Sequence, residues 1–342
     1  MDKATFVYPP TIAVISLPMS LLPWKIAAWT FRFTSFLATA GICLLAARLG
    51  SESTEKSPLL GPLGWYAGAC ALLGSAHQAI FQGQLSLIVV FGCLAAWYGH
   101  QRRILWLFLL GFLLASIKPQ ISLIPLLYIL FSGNVRWFTY GVMLCASVSL
   151  FMLIAVPTPD LFAAYDGSME NHLKYQYFNS WSWYCGVPAL FGATPWGKYF
   201  MLLGIALGGA GTAWVARANA KLNDTLSNRL RHQQLVWIIA MAAMPVHIYD
   251  LTGQYFIVIT LWAMPGWTRR ATVFACMLVG DKSYQIAPRL SKIGLPPELS
   301  DWARVHGASV MATMLLIAFI LWYWRDFGPR KTLNPKREPG HS

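Results

Sequence analysis

The chain has 342 residues, of which 56% are hydrophobic and 11% are charged. A soluble globular domain usually carries about twice that charged fraction, so the composition excludes a water-soluble domain and predicts an integral membrane protein. The net charge of +13 does not indicate nucleic acid as a partner, because the Lys and Arg residues lie mostly in short loops between apolar runs.

Hydrophobic segments recur over residues 1–324, and we predict one polytopic transmembrane domain there, followed by a basic cytoplasmic tail at 325–342. The fold class is an all-α integral membrane bundle of about 10–11 transmembrane helices, because an open sheet cannot satisfy its backbone in lipid. Several segments are shorter than the roughly 20 residues of a full span. The predicted spans are 24–49, 62–80, 85–99, 104–117, 119–132, 136–156, 196–216, 234–247, 251–265, 270–281 and 307–324.

Basic residues mark alternate loops, which the positive-inside rule assigns to the cytoplasm. These loops contain Arg48, Arg102 and Arg103, Arg136, the 217–231 segment, Arg269 and Arg270, and the C-terminal tail. The alternation requires helix breaks at Lys118–Pro119 and at 247–250, and proline is a plausible breaker at the first. The predicted external segments are therefore 1–23, 81–84, 118–119, 157–195, 248–250 and 282–306.

Polar residues collect at the external ends of the predicted spans. Gln82 and Gln84 flank Gly83 in one turn, where they either cap a helix or belong to a site. Lys118 stands between two apolar runs and precedes Pro119 and Gln120. A lysine can simply reach the headgroups along its apolar stem, but burial between two spans favours a role as a phosphate-binding cation.

The segment 244–250 interrupts a long apolar run with a proline, His247, Tyr249 and Asp250. Three such side chains at one depth favour a functional site over a single satisfied core group. A carboxylate can take a proton from an acceptor hydroxyl, and a histidine can contact a leaving phosphate. This spacing alone is not a metal motif, so neither a metal nor a cofactor is predicted.

The longest external loop, 157–195, carries a run of aromatic residues that includes Trp181 and Trp183. Most of these rings fit an aromatic belt at the membrane interface. A subset would alternatively form a platform on which a sugar ring stacks.

The order of several short motifs resembles glycosyltransferase family 87, whose members are polytopic enzymes of the GT-C class. Each motif is weak alone, but their order and their common external side make the combination specific. The matching elements are Tyr8-Pro9-Pro10, Gly83-Gln84, Gly111, Lys118-Pro119, the segment 179–192 and the segment from Pro245 to Asp250.

The resemblance implies a GT-C fold in the cell (inner) membrane, with an active site facing the periplasm or exterior. It also implies that a hexose, mannose in known members, moves from a polyprenyl-phosphate-linked donor to a lipid or glycan acceptor. On this basis Asp250 is the candidate base, and Lys118 and His247 are candidates for binding the donor phosphate. The candidate substrate-binding residues are Tyr8, Gln82, Gln84, Gln120, Tyr249, Trp181 and Trp183.

One departure concerns the catalytic aspartate of the family, which lies well upstream of its Tyr-Pro-Pro element. Only seven residues precede Tyr8 here, and Asp2 is too close to match. We therefore expect that the chain lacks an N-terminal helix and the first external loop, or that Asp250 serves instead. The alternatives are an inactive truncated homologue and a transporter or flippase of a lipid-linked saccharide. Polar groups at one face and the lack of an internal repeat favour the enzyme.

Overall fold

A computed structural model describes residues 11–51, 61–155, 197–219, 225–244, 248–294 and 296–327. All regular elements within these ranges are helical, which confirms the predicted all-α class. Tyr8, Trp181, Trp183 and His247 lie outside the described residues, as do the external loop 157–195 and the tail from residue 328. The side chains of Tyr249 and Asp250 are not described, although their backbone is.

The first eight helices precede the long predicted external loop. They are α1 Ile12–Ser20, α2 Trp24–Ser51, α3 Pro62–Leu72, α4 Gly74–Phe81, α5 Ser86–Arg102, α6 Leu105–Ala115, α7 Pro119–Phe131 and α8 Val135–Ala155. The later elements include two short 3₁₀ helices. They are α9 Gly197–Asn219, α10 Leu226–Ala243, the 3₁₀ helix Ile248–Gly253, α11 Gln254–Ile259, the 3₁₀ helix Leu261–Ala263, α12 Trp267–Ser291 and α13 Pro297–Phe327.

One described helix, Trp24–Leu49, is long and apolar enough to cross a membrane alone. The helices α4 and α5 would add a second span if they form one, although their axes bend by 114°. Shorter apolar helices account for five of the other predicted spans. Large apolar side chains on α2, including Trp29, Phe33 and Phe36, are exposed, as expected for a surface that contacts lipid.

The predicted break at Lys118–Pro119 is confirmed, the second break begins at Met244 and not at the predicted 247–250, and three further boundaries differ from the sequence prediction. The helices α6 and α7 are separate on either side of Lys118, and α10 ends at Ala243 before the 3₁₀ helix. The predicted span 62–80 is divided at Leu73, and the predicted span 251–265 consists of short helical pieces. The predicted external loop 282–306 is mostly helical, because α12 continues to Ser291 and α13 begins at Pro297.

The helix α5 forms the centre of the bundle. Its residues from Ser86 to Gly99 are buried, apart from Phe91. Its closest neighbour is α6, and small residues allow the two backbones to touch. A Cβ on Gly92 would lie 2.7 Å from the backbone nitrogen of Ala115 and 2.8 Å from the carbonyl oxygen of Gly111. Gly111 in turn packs directly on the backbone of α5 at Ala96.

The two ends of α5 belong to two different polar regions. Ser86, at its start, contacts Lys118. Gln101, near its end, accepts a 2.5 Å hydrogen bond from Arg229, which lies in the first turn of α10. A helical rise of about 1.5 Å per residue separates these ends by roughly 22 Å. The first region gathers predicted external segments, and the second gathers predicted cytoplasmic ones.

The close contact between α5 and α6 generates a prediction about Gly111. The substitution Gly111→Ala inserts a methyl group against backbone atoms that cannot rotate away, so we expect a loss of roughly 1–3 kcal/mol of stability. The substitution Gly68→Ala is the matched control, because a Cβ on Gly68 would meet no atom within 4 Å and Ala favours helix by up to about 1 kcal/mol. Thermal unfolding in detergent should show a lower Tm for the first variant only; equal Tm values would contradict the close packing.

Candidate active site

The turn at Gln82-Gly83-Gln84 ends α4 with a Schellman motif. The N–H of Gln84 donates to the carbonyl of Ala79 at 2.7 Å, and the N–H of Gly83 donates to that of Ile80 at 3.2 Å. Gly83 has a φ of +66°, a conformation that glycine adopts without a steric penalty. The backbone N–H groups of Gly83 and Gln84 therefore cap α4. The side chain of Gln84 takes no part in this cap and makes a second interaction.

That second interaction joins the turn to Lys118. The lysine is 1% exposed, and its Nζ donates to Oγ of Ser86 at 3.1 Å and to Oε1 of Gln84 at 3.4 Å. The backbone of Lys118 caps α7, since its carbonyl accepts from the N–H groups of Ile121 and Ser122, and Pro119 occupies the first helical position. Two predicted site residues, Gln84 and Lys118, are thus in direct contact although 34 positions separate them.

The 3₁₀ helix Ile248–Gly253, which contains Tyr249 and Asp250, packs against α4 and α5. Its last residue, Gly253, lies against the ring of Trp237, and a Cβ there would be 4.0 Å from the side chain of Ile121. Ile121 is in the first turn of α7, and this turn begins directly after Lys118. The backbone that carries Asp250 therefore lies in the same region as Lys118 and the Gln82–Gln84 turn.

A groove of about 500 Å³ is bordered by the same turn. Gln82 and Gly83 line it together with apolar side chains from α1, α2 and α4. Arg32 adds a positive charge to the groove, and its guanidinium lies 5.2 Å from the ring of Trp29. The lining residues are Met19, Ser20, Leu22, Trp24, Ala27, Ala28, Phe31, Arg32, Phe81, Gln82 and Gly83.

A buried carboxylate that the sequence prediction missed holds the start of α4. Asp281 is 3% exposed and accepts hydrogen bonds from the N–H groups of Gly74 at 2.6 Å and Ser75 at 3.1 Å. The side-chain amide of Gln254 donates to the same carboxylate at 3.0 Å, and Nζ of Lys282 lies 3.9 Å away. A carboxylate with this many donors stabilises a helix N-terminus, which indicates a structural role and not that of a base.

The predicted site residues differ in what the structure shows of them. Gln84 and Lys118 are brought together, whereas Gln82 is exposed at the groove and Gln120 is half-buried on α7. The backbone of Tyr249 and Asp250 lies nearby. Arg32 was not among the predicted site residues, although a charge inside an apolar span is a signal for a functional site.

The sequence profile of glycosyltransferase family 87 matches residues 6–245, well over half of the chain. The chain therefore belongs to glycosyltransferase family 87 and is a membrane glycosyltransferase. The matched range includes the Gln82–Gln84 turn and Lys118, and it ends before His247, Tyr249 and Asp250. No curated protein matches the chain, and no solved structure does.

The cap on α4 generates a prediction about Asp281. The substitution Asp281→Asn removes the charge that receives two backbone N–H groups, so we expect about 1.5–3 kcal/mol less stability. The control Glu298→Gln changes an exposed carboxylate on α13 and should leave the Tm within a degree or two. Thermal unfolding in detergent measures both; an unchanged Tm for Asp281→Asn would show that this carboxylate does not hold α4.

Proposed function

We propose that this glycosyltransferase moves a hexose, by analogy the mannose of known family members, from a polyprenyl-phosphate-linked donor to an acceptor hydroxyl. The acceptor is a lipid or a glycan. The enzyme would be a multi-pass GT-C protein of the inner membrane, with its active site at the periplasmic or external face and its C-terminus in the cytoplasm. Membrane lipids surround the bundle in this arrangement.

The observation that carries the proposal is the apolar groove whose lining includes the polar turn at Gln82 and the guanidinium group of Arg32. A polyprenyl-phosphate sugar has a long apolar tail and an anionic phosphate next to the sugar. The groove supplies apolar walls for such a tail, and Arg32 supplies a charge of the opposite sign to the phosphate. Two residues beyond Gln82, Gln84 contacts the buried ammonium group of Lys118. Apolar and cationic surfaces are thus adjacent, as this donor requires.

The proposed reaction needs a base on the acceptor and cations on the leaving group. Asp250 takes the proton of the acceptor hydroxyl, and the acceptor oxygen forms a bond to the anomeric carbon of the sugar. The bond from that carbon to the phosphate oxygen breaks, and its electron pair stays on the polyprenyl phosphate. Lys118 and His247 stabilise the negative charge of this leaving group, while Gln82, Gln120 and Tyr249 contact the substrates. Tyr8, Trp181 and Trp183 would add stacking surfaces for the sugar.

The test of the proposal is sugar transfer by the purified full chain with radiolabelled polyprenyl-phosphate mannose. We expect Asp250→Asn to lower kcat by roughly 10²–10⁴-fold, the usual contribution of a general base. We expect Lys118→Met to lower it by roughly 10²–10³-fold, as the loss of charge stabilisation does elsewhere. The matched control Lys25→Met removes an exposed lysine of α2 and should retain full activity.

Activity is normalised to the folded fraction, measured by gel filtration and by Tm, because Lys118 is buried. Transfer that continues at the wild-type rate in both variants would contradict the site assignment. Transfer from a nucleotide-linked mannose, with none from the polyprenyl-linked donor, would contradict the proposed donor.

Arg32 provides a separate prediction about donor binding. The substitution Arg32→Gln removes the charge in the groove, and we expect KM for the polyprenyl-phosphate donor to rise roughly tenfold, which corresponds to about 1.4 kcal/mol. The control Arg48→Gln removes an exposed arginine from the opposite end of the same helix and should leave KM unchanged. Initial rates at varied donor concentration measure both values, and equal KM values would place the donor outside the groove.

A further inference from the structure

A second cavity lies at the end of the bundle opposite Lys118, and the proposed reaction does not use it. Its volume is about 690 Å³. It lies between the start of α10, the start of α12 and the end of α13. The described residues that line it are Arg231, Pro265, Gly266, Thr268, Arg269, Thr272, Trp322 and Arg325.

The cavity concentrates positive charge from three separate helices. Arg231, Arg269 and Arg325 line it, and no carboxylate does so among the described residues. Nε of Arg231 lies 3.5 Å from the carbonyl of Ala263, its hydrogen-bond acceptor. The start of α12 lines the same cavity through Gly266 and neighbouring residues, and a helix N-terminus carries partial positive charge. The cavity is therefore suited to an anion.

A buried amide indicates that a polar group belongs in this cavity. Gln234 is 0% exposed, and neither its Oε1 nor its Nε2 has a hydrogen-bond partner among the described residues. It lines an inner pocket of about 30 Å³, which shares Arg231, Arg269 and Trp322 with the main cavity. A buried amide without partners is costly; an oxygen of a bound anion would accept from Nε2, and a water that the anion holds would donate to Oε1.

The surroundings favour a lipid as the source of the anion. Arg269 lies 5.3 Å from the ring of Trp322, and Trp267 is exposed at the start of α12. Tryptophan is enriched where a membrane meets water. Arg229 contacts Gln101 at the same end of the bundle, where the predicted cytoplasmic loops gather. Basic pockets between helices on that side of a membrane bind anionic headgroups.

We propose that the cavity lined by Arg231, Arg269 and Arg325 binds the phosphate of an anionic glycerophospholipid. The guanidinium groups and the start of α12 receive the phosphate oxygens, and the amide of Gln234 contacts one of them or a bridging water. The acyl chains lie outside the cavity, against the apolar surface of the helices. This site is independent of the sugar donor, which the proposed function puts at the other end of α5.

The test measures lipid binding to the purified full chain in a neutral detergent by native mass spectrometry. The probes are phosphatidylglycerol, phosphatidylcholine with the same acyl chains, and inorganic phosphate. We expect phosphatidylglycerol to bind at least tenfold more tightly than either of the other two. We expect the double variant Arg269→Gln/Arg325→Gln to lose at least tenfold in this affinity.

The matched control is Arg102→Gln/Arg136→Gln, which removes the same charge from the same end of the bundle. Both control arginines are exposed, and each stacks on an aromatic ring as Arg269 does. This control should bind phosphatidylglycerol as the wild type does. An equal loss in the two double variants would overturn the proposal, because it would show a general attraction by charge. Equal affinity for inorganic phosphate would overturn the lipid as the ligand.

A second variant separates binding from folding. The substitution Gln234→Leu keeps every charge, so a loss of affinity in it reports the amide contact alone. We expect this variant to bind phosphatidylglycerol at least threefold more weakly and to have a Tm no lower than the wild type without lipid, because a buried unpaired amide is removed. Unchanged affinity together with a lower Tm would show that Gln234 serves only the fold, which would overturn its assigned contact.

Discussion

A helix that ends in apolar surroundings must still have its backbone hydrogen bonds satisfied, and this constraint determines where polar residues lie in the bundle. The helix α4 illustrates it at both ends. Its first N–H groups donate hydrogen bonds to the carboxylate of Asp281. Its last carbonyls accept hydrogen bonds from the N–H groups of the turn around Gly83. The helix α7 begins on the carbonyl of Lys118, with Pro119 in the position that needs no donor. The groups that complete these helix ends are also the ones available for chemistry.

The helix breaks that could be predicted from the sequence are the ones with a local cause. Pro119 causes the break between α6 and α7, and Gly83 causes the break between α4 and α5. The division at Leu73 has only a weak local signal in Gly74 and Ser75, and the residue that stabilises it, Asp281, is 207 positions away from Gly74. The sequence prediction also ended a span at Asp281 and assigned the charge of Lys282 to an external loop. In the folded chain Asp281 is buried and its carboxylate accepts several hydrogen bonds, so α12 continues through this residue.

The residues of the candidate site could likewise be predicted from the sequence only where a local feature marks them. Gln84 and Lys118 could be identified because each stands beside a break in an apolar run, and such breaks meet when adjacent helices end at the same level. Arg32 could not be found in this way, since it lies inside a continuous helix and its neighbours in the groove come from distant turns. The cavity between α10, α12 and α13 shows the same limitation. Its arginines were all predicted to lie in cytoplasmic loops, but their convergence on one cavity depends on how three helices pack.

The length of α5 sets the distance between these two polar regions, and this distance can be compared with the thickness of a membrane. About 22 Å of helix separates Ser86 from Gln101, and the residues between them are almost all apolar and buried. A hydrocarbon layer is about 30 Å thick, so a helix of this length, with the turns beyond its two ends, fits the proposed arrangement in which the two regions face opposite boundaries of the membrane. Within that layer, a polar group such as Asp281 is stable only when several donors surround it. In the proposed arrangement the sugar donor and the phospholipid headgroup bind at opposite ends of α5, so they do not compete for one site.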